Sequence, residues 1–106
     1  MKIKTGKIKE YPFLEISGKI TGDCAALITS KIELLCKKYD GAVVINLSEV
    51  AFIDSNGLGA LVFLWKRFKQ ESRELIFLCS GNFDLDLFST SGLDTLFTIV
   101  RSEEEL

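Results

Sequence analysis

Histidine is absent from the 106 residues of this chain. The commonest general base and the commonest metal ligand are therefore missing together. Cysteine is scarce as well: Cys24, Cys36 and Cys79 are odd in number and contain no close pair. That pattern argues against a disulfide framework or a zinc knuckle and predicts reduced thiols in a cytoplasmic protein. Positive charge is not in excess, since 13 Lys and Arg face 15 Asp and Glu for a net charge of −2. A nucleic-acid footprint is not indicated. Long apolar runs are lacking too. The longest, Leu58 to Trp65, stops at Lys66-Arg67, short of the roughly 20 residues needed to span a membrane. Met1 leads into alternating charge, not into the apolar core of a signal peptide.

The apolar fraction of 47% and the charged fraction of 26% are those of an ordinary globular chain, and the length suits one domain over residues 1–106 with a single core. Lys2, Lys4, Lys7 and Lys9 alternate, as on the solvent side of an edge strand, where lysine also discourages edge-to-edge pairing. Thr5-Gly6 is a candidate bulge or turn in that hairpin-like stretch. Pro12 opens a second strand, Phe13 to Ser17, and Gly18 breaks the pattern. From Asp23 to Tyr39, Ala25, Ile28, Ile32, Leu35, Cys36 and Tyr39 follow helical spacing. Asp23 is the expected N-cap, and Asp40-Gly41 ends the helix. Leu27 and Leu34 lie off the stripe, either widening the buried face or forming an exposed contact surface.

Ala42 to Leu47 is a nearly continuous β-branched run, predicted to be a strand covered on both faces by helices. Leu58, Leu61, Val62, Trp65 and Phe68 then make one side of a second helix that runs out at Lys69 to Ser72. Leu75 to Cys79 is a buried strand, Asn82 to Thr90 a short helix, and Phe97 to Val100 a last short strand. Glu103-Glu104-Glu105 is an acidic end that either begins a helix or frays. Strands alternating with helices predict a small single-domain α/β fold, with a mixed sheet of four to five strands and helices packed against it.

Between the β-branched strand and the second helix stands Asp54-Ser55-Asn56-Gly57-Leu58-Gly59. An Asp or Ser just before a helix is ordinarily a cap that satisfies an orphan N–H. Gly57 and Gly59 are less ordinary, since each costs about 1 kcal/mol relative to alanine within a helix. Close packing on the sheet or close approach of another molecule is needed to justify them. No Gly-x-x-x-x-Gly-Lys-Ser/Thr is present, and no lysine lies between Glu49 and Trp65, so a phosphate-binding loop is excluded. Ile53, not glycine, stands two residues before Ser55, and no histidine can serve as base, so a serine hydrolase fails too. Asp84 and Asp86 alternate with Phe83, Leu85 and Leu87, a spacing of solvated residues beside an apolar patch. An enzyme is disfavoured, and Ser55 reads as a serine acted upon. Phosphate there adds about −1.5 to −2 charges, which a helix N-terminus accommodates. A partner docked over the turn would be repelled while the fold persists.

Val43 to Val50, followed by Phe52 to Leu61, resembles the central signature of STAS domains, and more closely that of bacterial anti-sigma factor antagonists. Ser91-Gly92-Leu93-Asp94-Thr95-Leu96-Phe97 resembles the family's second landmark, and Gly18 with Ile20 its first loop. The resemblance implies that Ser55 is phosphorylated by an anti-sigma factor serine kinase and reset by a metal-dependent, PP2C-like phosphatase. It implies that the unphosphorylated antagonist sequesters the kinase and so releases a sigma factor. The chain itself would need no cofactor, since ATP and magnesium belong to the kinase. Asp54, Asn56, Gly57 and Leu58 would complete the recognised turn, with Thr21 and Asp23 in the neighbouring loop and Asn46 beside them. Three departures from the family pattern stand out. Asn46 replaces a usual aspartate, Thr21 occupies the acidic position of the first loop, and Cys24 replaces a small polar residue. Asn46 either bonds around the Ser55 turn or satisfies local backbone. STAS-like domains also serve as constitutive subunits of lipid-transport ATPases or anion transporters, in which Ser55 would be only a cap. A third reading places nucleotide or lipid on an apolar surface near Phe83 and Phe88.

Overall fold

Alternating apolar residues give the strands two distinct sides. The computed structural model covers residues 1–106, and its strands form one sheet in chain order: β1 (Lys2–Ile8), β2 (Tyr11–Ile20), β3 (Val43–Ile53), β4 (Leu75–Leu78) and β5 (Thr98–Val100). β1 runs antiparallel to β2, and every later neighbour is parallel. Parallel neighbours require crossovers. These are α1 (Ala25–Lys38), α2 (Ser55–Gln70) and the segment carrying the single-turn α3 (Asp86–Ser89).

All three helices pack their buried apolar residues on the same side of the sheet. Ile28, Ile32 and Leu35 of α1, Leu61, Leu64 and Phe68 of α2, and Phe88 of α3 join Leu14, Ile16, Ile45, Leu47 and Phe77 in one core. Phe77 stacks on Phe97 at 4.4 Å, and Phe88 meets Phe97 edge-on at 5.3 Å. The buried stripe of α2 is centred on Leu61, Leu64 and Phe68, with Leu58, Val62 and Trp65 only half-buried at its margin. Leu27 and Leu34 are exposed, which decides between their two readings.

The opposite side of the sheet carries no helix, contrary to the expectation for β3. Val44, Ile76 and Leu78 are buried there among Tyr11, Phe13, Val100 and Leu106. Leu106 ends a 3-10 turn, Glu103–Glu105, closed by a Ser102/Glu105 capping box. The Lys9 ammonium donates to its carbonyl oxygen at 3.2 Å. The terminal turn and neighbouring strand side chains are therefore enough to bury Val44.

Other local expectations shift for physical reasons. Thr5 and Gly6 lie within β1, paired with Leu14 and Phe13, and the hairpin turns instead at Lys9-Glu10, with Lys9 at φ 55°. Gly18 does not end β2. It sits at φ +94° beside a register shift, so its freedom permits a bulge within a strand that continues to Ile20. β3 likewise continues past Leu47 to Ile53. Asp23 is not an N-cap: Gly22–Cys24 form a 3-10 turn that leads into α1, and no side chain caps either element.

Candidate functional site: the first turn of the second helix

The end of β3 delivers Asp54 in an extended conformation, and α2 begins at Ser55. The Gly57 N–H donates to Asp54 Oδ1 at 2.6 Å, while the Leu58 N–H donates to the Asp54 carbonyl at 2.8 Å. Asp54 is therefore the cap, and it supplies both bonds that start the helix. Ser55, the next residue, is exposed, and its hydroxyl makes no hydrogen bond within the chain. The reading of Ser55 as a cap is displaced. The N–H groups of Ser55 and Asn56 also lack backbone acceptors, leaving donors where an added anion would sit.

Packing explains one glycine of the turn and leaves the other open. A Cβ on Gly57 would lie 2.5 Å from the Ile20 carbonyl oxygen, and that same oxygen accepts from the Asp54 N–H at 3.0 Å. Helix and strand end are thus held backbone to backbone, which only glycine allows. Around Gly59 the position of a Cβ is empty to 4 Å. No contact within the chain requires glycine there.

The loop after β2 joins the same surface. A Cβ on Gly22 would lie 2.8 Å from Asn56 Cβ, so the Thr21–Cys24 turn rests on the first turn of α2. Thr21 is half-buried, with Oγ1 3.6 Å from Cys24 Sγ, and Asp23 is exposed. Thr21, Asp23, Asp54, Ser55, Asn56, Gly57 and Leu58 are thereby brought together, with Gly57 buried and Leu58 half-buried. Gly22 was not singled out from sequence. Its signal was available, as a small residue between the strand end and the first helix.

Asn46 is not brought to this turn. It pairs with Glu15 while Ile53 pairs with Ile20, a separation of roughly 16 Å at about 3.3 Å per strand residue. Its amide donates to Glu15 Oε1 at 3.4 Å, and its Oδ1 accepts from the Ser48 N–H at 3.0 Å. The side chain satisfies local groups inside the sheet. Ser48 and Ser80 hydroxyls, 2.7 Å apart, continue that polar seam between β3 and β4.

The remaining candidates resolve differently. Phe83 and Phe88 are buried with the core aromatics, so they present no surface for nucleotide or lipid. Asp84 and Asp86 are exposed, and Asp84 Oδ1 accepts from the Asp86 N–H at 3.0 Å, an Asx turn that starts α3. All three cysteines are free. Burial pushes the Cys79 thiol up to about 12 and raises that of Cys36. No helix is long and apolar enough to cross a membrane. Thr21, Asp23 and Asp54 to Leu58 include two carboxylates and no Lys or Arg, while Lys19 stands beside them at the end of β2, paired with Phe52.

The same architecture recurs in solved structures. An anti-sigma factor antagonist from Mycobacterium paratuberculosis superposes with a TM-score of 0.81 at 21% identity, over 98% of this chain and 88% of that one. The phosphorylated form of the Bacillus cell fate determinant SpoIIAA superposes at 0.70 and 18% identity, over 98% and 96%. In sequence, the anti-sigma-B factor antagonist of Listeria monocytogenes is 29% identical over 91 residues, which is 86% of this chain and 80% of that protein. The family model for the STAS domain matches residues 2–106. A five-stranded mixed sheet with its helices on one side is thus the fold of a known family, and this chain belongs to the STAS domain family.

Proposed function

We propose that this chain is an anti-sigma factor antagonist whose binding is switched by phosphorylation of Ser55, acting in the cytoplasm. The observation that carries the reading is the division of labour at the head of α2. Asp54 provides the cap, so the Ser55 hydroxyl is exposed, free of internal hydrogen bonds and dispensable to the helix. A hydroxyl in that state can be modified without unfolding its own helix. The Listeria relative named as an anti-sigma-B factor antagonist, and the Bacillus neighbour described in phosphorylated form, support the same reading.

The mechanism follows from charge and contact. In the unphosphorylated state a serine kinase docks over Thr21, Asp23, Asn56 and Leu58 with the hydroxyl at the centre. Sequestering that kinase releases its sigma factor. The ATP and magnesium are the kinase's own, and the chain contributes the acceptor hydroxyl. Transfer places about −1.5 to −2 charges beside Asp54, where helix donors tolerate them. The docked kinase loses its contact with the hydroxyl and meets a phosphate facing its own nucleotide phosphates, so affinity falls. A PP2C-like phosphatase restores the serine.

Incubation with the cognate kinase and ATP, followed by intact-mass and peptide analysis, tests the proposal. One phosphate on Ser55 and weak kinase binding by Ser55→Asp are expected. No mass gain, or equal binding by wild type and Ser55→Asp, overturns it, the second result being that of a constitutive transporter subunit.

A further inference from the structure

One surface of the molecule combines free cations with exposed leucines, and the phosphorylation switch leaves it unused. It lies between the edge strand β1 and the side of α1 turned away from α2. Together β1 and α1 hold Lys2, Lys4, Lys7, Lys31, Lys37 and Lys38 against one carboxylate, Glu33. Glu33 is engaged elsewhere: it accepts from Arg67 of α2 at 3.0 Å, the only salt bridge in the chain. The six lysines are therefore without an ionic partner. Glu10, Asp23 and Asp40 stand at the ends of the two elements, outside both of them.

Leu27, Lys31, Leu34 and Lys38 recur at i, i+4, i+7 and i+11, which sets them in one row along α1. Leu27 is 47% and Leu34 59% exposed, while Ile28, Ile32 and Leu35 are buried toward the sheet. Beside the row, Thr5 of β1 joins Lys31, Leu34, Leu35 and Lys38 around a hollow of about 170 Å³. Near the end of α1 the Lys7 and Lys38 ammonium groups converge on the Tyr39 ring, 5.2 and 6.0 Å from its centre. Two like charges from separate elements meet there, and no carboxylate pairs with either. Lys2 and Lys4 add charge from the other side of the edge strand.

The charge calls for an anionic occupant, and the form of the surface selects its kind. A hollow of that size takes one side chain or the end of an acyl chain, not a helix about 10 Å across. Addition of a strand to β1 is opposed by the lysines along that edge. Protein interfaces gather apolar residues at a centre from which lysine is depleted. Here leucine and lysine alternate along a row of roughly 16 Å, at about 1.5 Å per residue. Such interleaving suits a plane in which charge and hydrocarbon lie one side-chain length apart. We infer that this face binds peripherally to an anionic lipid bilayer, with Leu27 and Leu34 at the acyl boundary and Lys7, Lys31 and Lys38 among the headgroups. Lysine stems run beside the leucines and carry their ammonium groups to the lipid phosphates. The net charge of −2 opposes this little, because screening confines each charge to about 8–10 Å. None of these residues belongs to the Ser55 turn, so the inference stands apart from the antagonist reading.

The test uses the full unphosphorylated chain and co-sedimentation with vesicles, either equal parts phosphatidylglycerol and phosphatidylcholine or phosphatidylcholine alone. Binding to the first and not to the second is expected at low salt, and it should fall as salt rises. Lys31→Glu with Lys38→Glu should weaken binding about tenfold or more. Lys66→Glu with Lys69→Glu makes the same charge change on exposed residues of α2 and should weaken it by less than about threefold. Leu27→Ser with Leu34→Ser keeps every lysine and should also cost about tenfold. Thermal unfolding of each variant checks that the fold is retained. Wild type that stays in solution beside anionic vesicles at low salt overturns the inference. Equal losses in the two lysine pairs, or wild-type affinity in the leucine pair, overturn it as well. Self-association without vesicle binding, abolished by Lys31→Glu with Lys38→Glu, assigns the face to acidic residues of a second copy and overturns it too.

Discussion

The first turn of α2 has an inner side and an outer side built from different members of one six-residue stretch. Inward, Asp54 and Gly57 are tied to each other and to the Ile20 carbonyl, with no room for another atom. Outward, Ser55, Asn56 and Gly59 are exposed, and the space around Gly59 is empty. The difference shows how a site can change its charge without losing its fold. The cap bond from Gly57 to Asp54 and the backbone approach of Gly57 to Ile20 both lie on the side that modification does not touch.

The comparison breaks if the inner residues prove dispensable. Gly57→Ala should have the largest effect, a loss of roughly 2–3 kcal/mol, because the added methyl meets backbone that cannot rotate away. Urea unfolding measures it. A near-neutral result would mean that helix and strand end are not locked together.

Next in size is a pH effect from the packed core. The Cys79 thiol stays protonated in the fold up to about 12, against an ordinary value of 9.0. Between those values the unfolded chain loses this proton and the folded chain keeps it. Stability therefore falls as pH rises above about 9, with a slope of up to about 1.4 kcal/mol per pH unit from this group. Under reducing conditions, wild type should lose stability more steeply than Cys79→Ala between about pH 9 and 10.5. Parallel curves would contradict the assignment.

Asp54→Ala removes the cap and should cost about 1 kcal/mol, again by urea unfolding. Sign reverses on the outer side. Gly59→Ala should stabilise the chain by about 0.5–1 kcal/mol, since the methyl enters open space in a helix interior, yet it should weaken kinase binding. Ser55→Ala should be the smallest in stability, within about 0.5 kcal/mol, while abolishing phosphorylation. A cap-sized loss at Ser55 and none at Asp54 would exchange the two roles and undo the comparison.

Much of this architecture was legible because periodicity survives in short windows. Ile28, Ile32 and Leu35 announce α1, and the β-branched run from Val43 announces β3. What local pattern does not carry is how an element is continued or covered. Gly18 looked like a strand end because glycine weakens strands, but pairing with β3 carried β2 through a bulge to Ile20. Asp23 looked like a cap because it precedes a helix, yet an intervening 3-10 turn took its place. Asn46 was two readings in sequence and became one when Glu15 and Ser48 took up its amide.

By itself the sequence determined that Asp54-Ser55-Asn56-Gly57-Leu58-Gly59 starts a helix, that its hydroxyl has no catalytic base, and that two glycines there require a reason. Hydrophobic spacing and residue chemistry are local and suffice for that. Only the tertiary structure decided which residue caps, which glycine is packed and which is open, and that the loop after β2 rests on the turn. Those distinctions depend on Ile20 and Gly22, residues distant in the chain, whose approach is set by the packing of the whole sheet.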